Sequence, residues 1–123
     1  KNINIHFDTS NIKKILSNAD IALISGGTIS YECAAIGVPM LITSIEKNQI
    51  NTSKFWNKNK SGIYLGHINE IKIKKITSEI ERLSNDFDLR KKFSLKASKI
   101  CDGKGSKKIA LNIDHFIKSN KRL

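Results

Sequence analysis

A short apolar run, a glycine turn and a helical segment follow one another directly, and this order constrains the fold most. Ile21 to Ile24 is apolar with a β-branched bias, as a buried parallel strand requires. Gly26 and Gly27 allow the backbone to turn tightly and to approach a ligand closely, because glycine has no Cβ. Tyr31 to Ile36 then predicts a helix. The stretch therefore predicts a strand–turn–helix unit of an α/β protein.

The ends of this helix are also marked in the sequence. Thr28 is a suitable N-cap, because its hydroxyl can accept from a free N–H of the first turn. Gly37 predicts the end of the helix, and Val38-Pro39 prevents its continuation.

A helix that begins at the carboxyl end of a parallel strand directs its free N–H groups at the crevice where open α/β sheets bind ligands. Those donors and the helix dipole favour an anion, most commonly phosphate. Glu32 lies near the same crevice and offers an acceptor for sugar hydroxyls. The alternative is that Gly26-Gly27 is an ordinary turn and that Glu32 only compensates the dipole.

The remaining segments extend the unit into one domain over residues 1–123. Further strands are predicted over Asn2 to Phe7, Met40 to Ile45 and Gly62 to Gly66. Helices are predicted over Ile12 to Ser17 and from about Gln49 to Asn59. Because strands and helices alternate, we expect a Rossmann-like parallel sheet with right-handed crossovers and helices on both faces, in three layers.

Three helices are predicted after the last strand, each with an inward apolar stripe. The first opens at Asn69 or Glu70, and Ser106 is expected to cap the third. The expected inward residues are Ile73, Ile76, Ile80 and Leu83 in the first, Phe93, Ala97 and Ile100 in the second, and Ile109, Ile113 and Phe116 in the third.

Asn48 and Gln49 follow the Met40 to Ile45 strand, at the sheet edge where Ser25 to Thr28 is expected. Their amide groups can hydrogen-bond phosphate or hydroxyl oxygens. The alternative is that Asn48 only caps the next helix.

The net charge of +11 raises the question of nucleic-acid binding. Only three of the 22 basic residues are arginine, and the lysines are dispersed. Basic patches that bind nucleic acid usually combine arginine with interleaved aromatic residues. We therefore expect solvated lysine faces and no specific nucleic-acid partner, with a non-enzymatic basic binding module as the alternative.

The sequence predicts neither a metal site nor a bound cofactor. Cys33 and Cys101 lack metal-ligand spacing, and the three histidines are isolated from acidic clusters. Cys33 is expected to be a small core residue, which favours a reduced, cytoplasmic setting. No run of about 18 apolar residues predicts a membrane span, and no charged-then-apolar leader is present.

Taken together, these segments resemble the C-terminal nucleotide-binding half of GT-B enzymes. They are most similar to the family of the pseudaminic acid pathway UDP-sugar hydrolase and the spore-coat polysaccharide biosynthesis protein. The resemblance spans nearly the whole chain. It rests on Ala19-Asp20, Ser25-Gly26-Gly27-Thr28, Glu32-Cys33, Gly37-Val38-Pro39, Glu46 to Gln49, Gly62 to Leu65 and Asp102-Gly103-Lys104-Gly105.

The resemblance implies a UDP-sugar site. Ser25, Gly26, Gly27 and Thr28 would hold the diphosphate, Glu32 would take the ribose hydroxyls, and Asn48 and Gln49 would lie at the sugar and phosphates. The implied reaction is metal-free hydrolysis that releases UDP from a UDP-diacetamido-trideoxy sugar. The alternative is the nucleotide-sugar half, or subunit, of a GT-B glycosyltransferase.

The chain also departs from the family. Family members carry a catalytic histidine in an N-terminal Rossmann-like half and a glycine-rich loop after the first strand of the C-terminal half. Neither matches a segment here, and His6 lies inside a predicted strand. We therefore expect a fragment that lacks its first βα unit, requires the other half as a partner and is inactive alone. Its exposed sheet edge is expected to allow self-association.

Overall fold

The computed structural model describes residues 2–120, which form three strands and six helices. The strands are short and alternate with helices along the first half of the chain. The elements are α1 (Ile12–Ser17), β1 (Ala22–Ser25), α2 (Ile29–Ile36), β2 (Met40–Ser44), α3 (Gln49–Lys58), β3 (Ile63–His67), α4 (Ile73–Asn85), α5 (Phe87–Ile100) and α6 (Gly105–Asn120).

The three strands form one open parallel sheet in the order β1-β2-β3. Leu23 pairs with Leu41 between β1 and β2, and Ile42 pairs with Tyr64 between β2 and β3. The second pairing shifts register between Ile42 and Thr43. The predicted Rossmann-like α/β arrangement is confirmed, and the carboxyl ends of all three strands lie at one edge of the sheet.

Helices cover both faces of the sheet. The evidence is that alternate residues of β2 enter two separate apolar clusters, one on each face. Met40 and Ile42 join the first cluster, and Leu41 joins the second. The first cluster includes Leu16 of α1, Cys33 and Ala34 of α2, and Trp56 of α3. The second includes Leu65 of β3, Leu83 of α4 and Phe93 of α5. This alternation is what a strand buried on both faces requires.

The predicted end of α2 is confirmed. Gly37 has a φ of +86°, in the left-handed region that glycine adopts without strain. The N–H groups of Gly37 and Val38 both donate to the carbonyl of Cys33, at 2.8 and 2.9 Å. Cys33 itself is fully buried, as expected of a small core residue.

The strand predicted over Asn2 to Phe7 is wrong. These residues form no regular element, and the side chains of Ile3, Ile5 and Phe7 are exposed. Alternation alone does not make a strand, because a strand needs a neighbour that takes up its backbone hydrogen bonds. β1 is consequently an edge strand of the sheet as described, and Leu23 is 51% exposed beside that edge.

The apolar stripes predicted for the last three helices are only partly buried. In α4 Leu83 is buried and Ile76 packs against the second cluster, whereas Ile73 and Ile80 are exposed. The helix begins at Ile73, a few residues after the predicted start at Asn69 or Glu70. In α5 Phe93 and Ala97 are buried as predicted, but Ile100 is exposed.

The inward stripe predicted for α6 is wrong in this structure. Ile109, Ile113 and Phe116 are all exposed, and α6 buries none of its residues. Ser106 lies inside the helix, which begins at Gly105, so it is not the cap. The periodicity of α6 is real, but amphipathic spacing does not specify which surface covers a helix. No helix in the described part of the chain is long and apolar enough to cross a membrane.

Candidate functional site

The turn from β1 into α2 is fixed by hydrogen bonds on both sides. The N–H of Gly26 donates to the carbonyl of Thr43 on β2 at 2.8 Å. The carbonyl of Gly27 accepts from the backbone N–H and the hydroxyl of Ser30, at 3.1 and 2.7 Å. The turn is therefore held in one conformation, and the N–H of Gly26 is already used by the sheet.

The next three N–H groups remain free. Among the hydrogen bonds within residues 2–120, none uses the N–H of Gly27, Thr28 or Ile29 as a donor. These groups open the N-terminus of α2, where the helix dipole adds partial positive charge. Thr28 occupies the N-cap position, as predicted, but its side chain does not make the expected capping hydrogen bond. The arrangement suits an anion bound by backbone amides.

Position 26 requires glycine because α3 packs directly against its backbone. A Cβ at Gly26 would lie 2.1 Å from Oγ of Ser53 and 2.9 Å from the carbonyl oxygen of Gln49. A Cβ at Gly27 would have no neighbour nearer than 3.9 Å. The two glycines thus differ: Gly26 lets two elements approach each other, whereas the surface beside Gly27 is open.

The Gln49 side chain is oriented by the backbone before its own helix. Its Oε1 accepts from the N–H of Ile45 at 2.9 Å, which leaves the Nε2 amide hydrogens as donors. Nε2 lies 3.9 Å from the position of a Cβ on Gly27, and Oγ of Ser25 lies at the same distance from that position. The structure therefore brings Ser25, Gly27 and Gln49 together, as the sequence predicted for this edge.

Trp56 connects this turn to the core. The fully buried indole donates from Nε1 to Oγ of Ser30 at 3.0 Å, and Ser30 in turn donates to Gly27. Tyr31 packs edge-on against the same indole, with ring centroids 5.3 Å apart. Ser30 and Ser53 were not among the residues predicted from the sequence. The signal available for Ser30 was a hydroxyl three residues after the second glycine.

Glu32 lies in the first turn of α2 and is exposed, and the glycine turn is not part of the cavity that it lines. That cavity, of about 440 Å³, is also lined by Lys13 of α1 and by Asp102 and Gly103. One helical turn, about 5.4 Å, separates Glu32 from the free amides at the helix start. Glu32 and the glycine turn are thus neighbours along α2 without sharing a cavity.

The turn that forms the far wall of this cavity is held by Asp102. Its carboxylate accepts from the N–H of Lys104 at 3.0 Å and from Nζ of Lys108 at 2.8 Å. The Lys108 ammonium and then the Lys104 N–H hold the pKa of the Asp102 carboxyl below its ordinary value. Gly103, with a φ of +68°, then passes close to Ala35.

Asn48 precedes α3 and is exposed, and its side chain makes no capping hydrogen bond. Asn48 therefore occupies the N-cap position of α3, but only through its backbone, and its side-chain amide forms no capping bond. Across residues 2–120 no group of three or more His, Cys, Asp or Glu side chains is placed to hold a metal ion.

Comparison with known proteins gives one informative similarity. Over 97 residues the chain is 27% identical to the spore coat polysaccharide biosynthesis protein SpsG of Bacillus subtilis (strain 168). The matched region covers 79% of this chain and 29% of that relative, so the chain spans less than a third of the relative's length. No family model and no solved structure matches.

Proposed function

We propose that this domain binds the diphosphate of a UDP-sugar at the N-terminus of α2. The observation that carries the proposal is the row of three unpartnered N–H groups on Gly27, Thr28 and Ile29, with Nε2 of Gln49 beside them. Backbone donors at a helix start bind phosphate oxygens without bringing charge of their own. Ser25 adds a hydroxyl at the same place. In this proposal Gly26 contributes by letting α3 approach, since its N–H is already bonded to Thr43.

The ribose is assigned to Glu32, one helical turn from the free amides. Its exposed carboxylate lines a cavity and is an acceptor for a pair of hydroxyls. Lys13 lines the same cavity and adds a positive charge, which favours an anionic nucleotide there. Asn48, whose side chain caps no helix, is assigned to the sugar and phosphate oxygens.

The resemblance to GT-B enzymes extends the proposal to the whole reaction. We propose a nucleotide-sugar hydrolase of the pseudaminic acid pathway type, with the catalytic histidine in an N-terminal half. The similarity to a spore coat polysaccharide biosynthesis protein supports a sugar-nucleotide role of this general kind. A glycosyltransferase half is the second candidate, because hydrolase and transferase differ in the acceptor site rather than in the nucleotide half.

The contribution of this half to such a reaction is electrostatic. Cleavage between the anomeric carbon and the diphosphate leaves negative charge on the departing UDP. Fixed N–H dipoles at the start of α2 stabilise that charge without having to reorganise, which is the most effective form of such stabilisation. The hydrogen bonds from Ser30 to Gly27 keep the dipoles in position.

Titration with UDP and with pyrophosphate, followed by amide NMR, tests the proposal. Both ligands should shift the signals of Gly27, Thr28 and Gln49, and Gly27→Val should remove both responses because a side chain there blocks the close approach. Glu32→Ala should weaken UDP more than pyrophosphate. Shifts confined to the lysine-rich helices, with a steep dependence on salt, would instead support the basic binding module.

A further inference from the structure

A second cavity lies at the carboxyl end of β3, on the other side of α3 from the glycine turn. It measures about 580 Å³ and is lined by residues of α3, of β3 and of the segment after β3. Gln49 and Ser53 form the side of α3 that meets Gly26. Lys47, before the helix, and Lys54 line the new cavity instead. The helix therefore separates the two places, and the proposed diphosphate site does not account for this one.

A backbone irregularity brings two side chains of β3 into this cavity. In a regular strand, residues three positions apart point to opposite faces of the sheet. Tyr64 and His67 nevertheless both line the cavity, because the pairing of β3 with β2 shifts register and Gly66 has a φ of +122°. The carbonyl of Gly66 is held by Oγ1 of Thr43 at 3.0 Å. Irregularities of this kind commonly redirect a side chain at a functional site.

The polar groups of the cavity are fixed in orientation. The Tyr64 hydroxyl is hydrogen-bonded to Oγ of Ser44 at 2.7 Å. The N–H of Asn69 donates to Nδ1 of His67 at 3.3 Å, so the neutral imidazole carries its proton on Nε2 and is a donor there. Glu70 supplies a carboxylate acceptor. The cavity thus combines one acceptor with several donors.

The charge of the cavity is positive. The ammonium groups of Lys47 and Lys54 form no ion pair with any acidic side chain among residues 2–120, and Glu70 is the one acid in the lining. Ile50 adds an apolar surface to the lining. An anion is therefore favoured, and the neutral donors together with Glu70 suit hydroxyl groups next to that anion.

We infer that this cavity binds a phosphorylated sugar or a similar phosphorylated polyol, with the phosphate at Lys47 and Lys54 and hydroxyls at His67, Asn69 and Glu70. Its volume lies within the usual range for small-molecule sites. The inference does not rest on the proposed UDP-sugar function, because the two places use different sides of α3.

The test is a titration of the full chain with glucose 6-phosphate, followed by NMR of the His67 ring and of the backbone amides. We expect saturable shifts at His67, Asn69 and Gly66, with the signals of Gly27 and Thr28 unchanged. Lys54→Gln should weaken binding about two- to fivefold, because it removes an exposed charged contact. Lys58→Gln is the matched control, since it makes the same change in the same helix outside the cavity lining.

Inorganic phosphate and glucose complete the experiment. Both should bind more weakly than glucose 6-phosphate, because each offers only half of the complementary groups. Shifts that do not saturate, or equal weakening by Lys54→Gln and Lys58→Gln, would overturn the site. Phosphate binding as tightly as the sugar phosphate would overturn the assignment of the hydroxyl contacts.

Discussion

The indole of Trp56 donates from Nε1 to Oγ of Ser30 at 3.0 Å, and both residues are fully buried. Ser30 continues the hydrogen-bond chain, because its own hydroxyl Oγ donates to the carbonyl oxygen of Gly27 at 2.7 Å. The core of α3 is thereby connected to the turn whose amides form the proposed diphosphate site.

Ser30→Ala should destabilise the protein. The substitution leaves the buried indole N–H of Trp56 without an acceptor, which costs about 1–3 kcal/mol of the free energy of unfolding. Urea denaturation followed by tryptophan fluorescence measures the loss. Ser78→Ala is the control, because the Ser78 hydroxyl is exposed and bonds only to a carbonyl of its own helix. Equal stability of the two variants would contradict the role assigned to Ser30.

Gly26→Ala and Gly27→Ala should behave differently although they are adjacent. At Gly26 the new Cβ meets Oγ of Ser53 and the backbone of Gln49, so α3 has to move, at a cost of about 1–3 kcal/mol. At Gly27 the Cβ meets nothing within 3.4 Å, so the fold is kept. Thermal denaturation distinguishes the two variants.

Adding Ser53→Ala to Gly26→Ala should restore part of the lost stability, since it removes the nearest clashing atom. A Gly26→Ala variant as stable as Gly27→Ala would mean that α3 does not pack against the turn as described.

Gln49→Glu should strongly weaken binding of UDP with little effect on folding. The glutamate keeps an oxygen for the N–H of Ile45, but it replaces the Nε2 donor near Gly27 with a negatively charged oxygen. Like charges brought together at a binding site cost several kcal/mol, so affinity should fall at least about tenfold. Calorimetric titration with UDP measures the change.

Asn51→Asp is the matched control for Gln49→Glu, because it makes the same charge change at an exposed position of α3. A parallel loss of affinity in both variants would indicate an effect of net charge alone, and would remove the specific role of Gln49.

Ionisation of the Cys33 thiol should lower the free energy of unfolding at high pH. Burial, and then the nearby Glu32 carboxylate, raise the pKa of the Cys33 thiol from 9.0 to about 11. The native state therefore holds this proton to a higher pH than the unfolded chain does. The stabilisation is complete below the unfolded pKa and is lost as pH rises from about 9 to about 11, by at most about 1.4 kcal/mol per pH unit.

Unfolding free energies of the wild type and of Cys33→Ala, compared across that pH range, isolate this contribution because the lysines titrate in both. The wild type should lose more stability than the variant as the pH rises. Parallel curves would show that the Cys33 thiol ionises as readily in the native state as in the unfolded chain.

Local sequence signals predicted the central part of the fold well. The β-branched run before Gly26 and the Gly37-Val38-Pro39 stop mark β1 and the end of α2, because turn chemistry acts through neighbouring residues. The same reasoning failed at Asn2 to Phe7 and along α6, where the pattern is present but no partner surface is packed against it.

For the candidate site, the sequence placed Ser25, Gly27 and Gln49 at one edge, because the carboxyl ends of parallel strands must coincide there. It did not distinguish Gly26 from Gly27, since the difference depends on the distance to α3. It also missed the cavity that contains Tyr64 and His67, because a register shift between strands leaves no local signature.

By itself, the sequence determined the strand–turn–helix unit, the parallel order of the strands and the residues available at the sheet edge. These follow from backbone preferences and apolar spacing, which are properties of short segments. Only the tertiary structure decided which N–H groups stay free, which glycine packs against a helix and which way Gln49 points. Those properties depend on atoms that are distant along the chain and meet only when the sheet and its helices pack together.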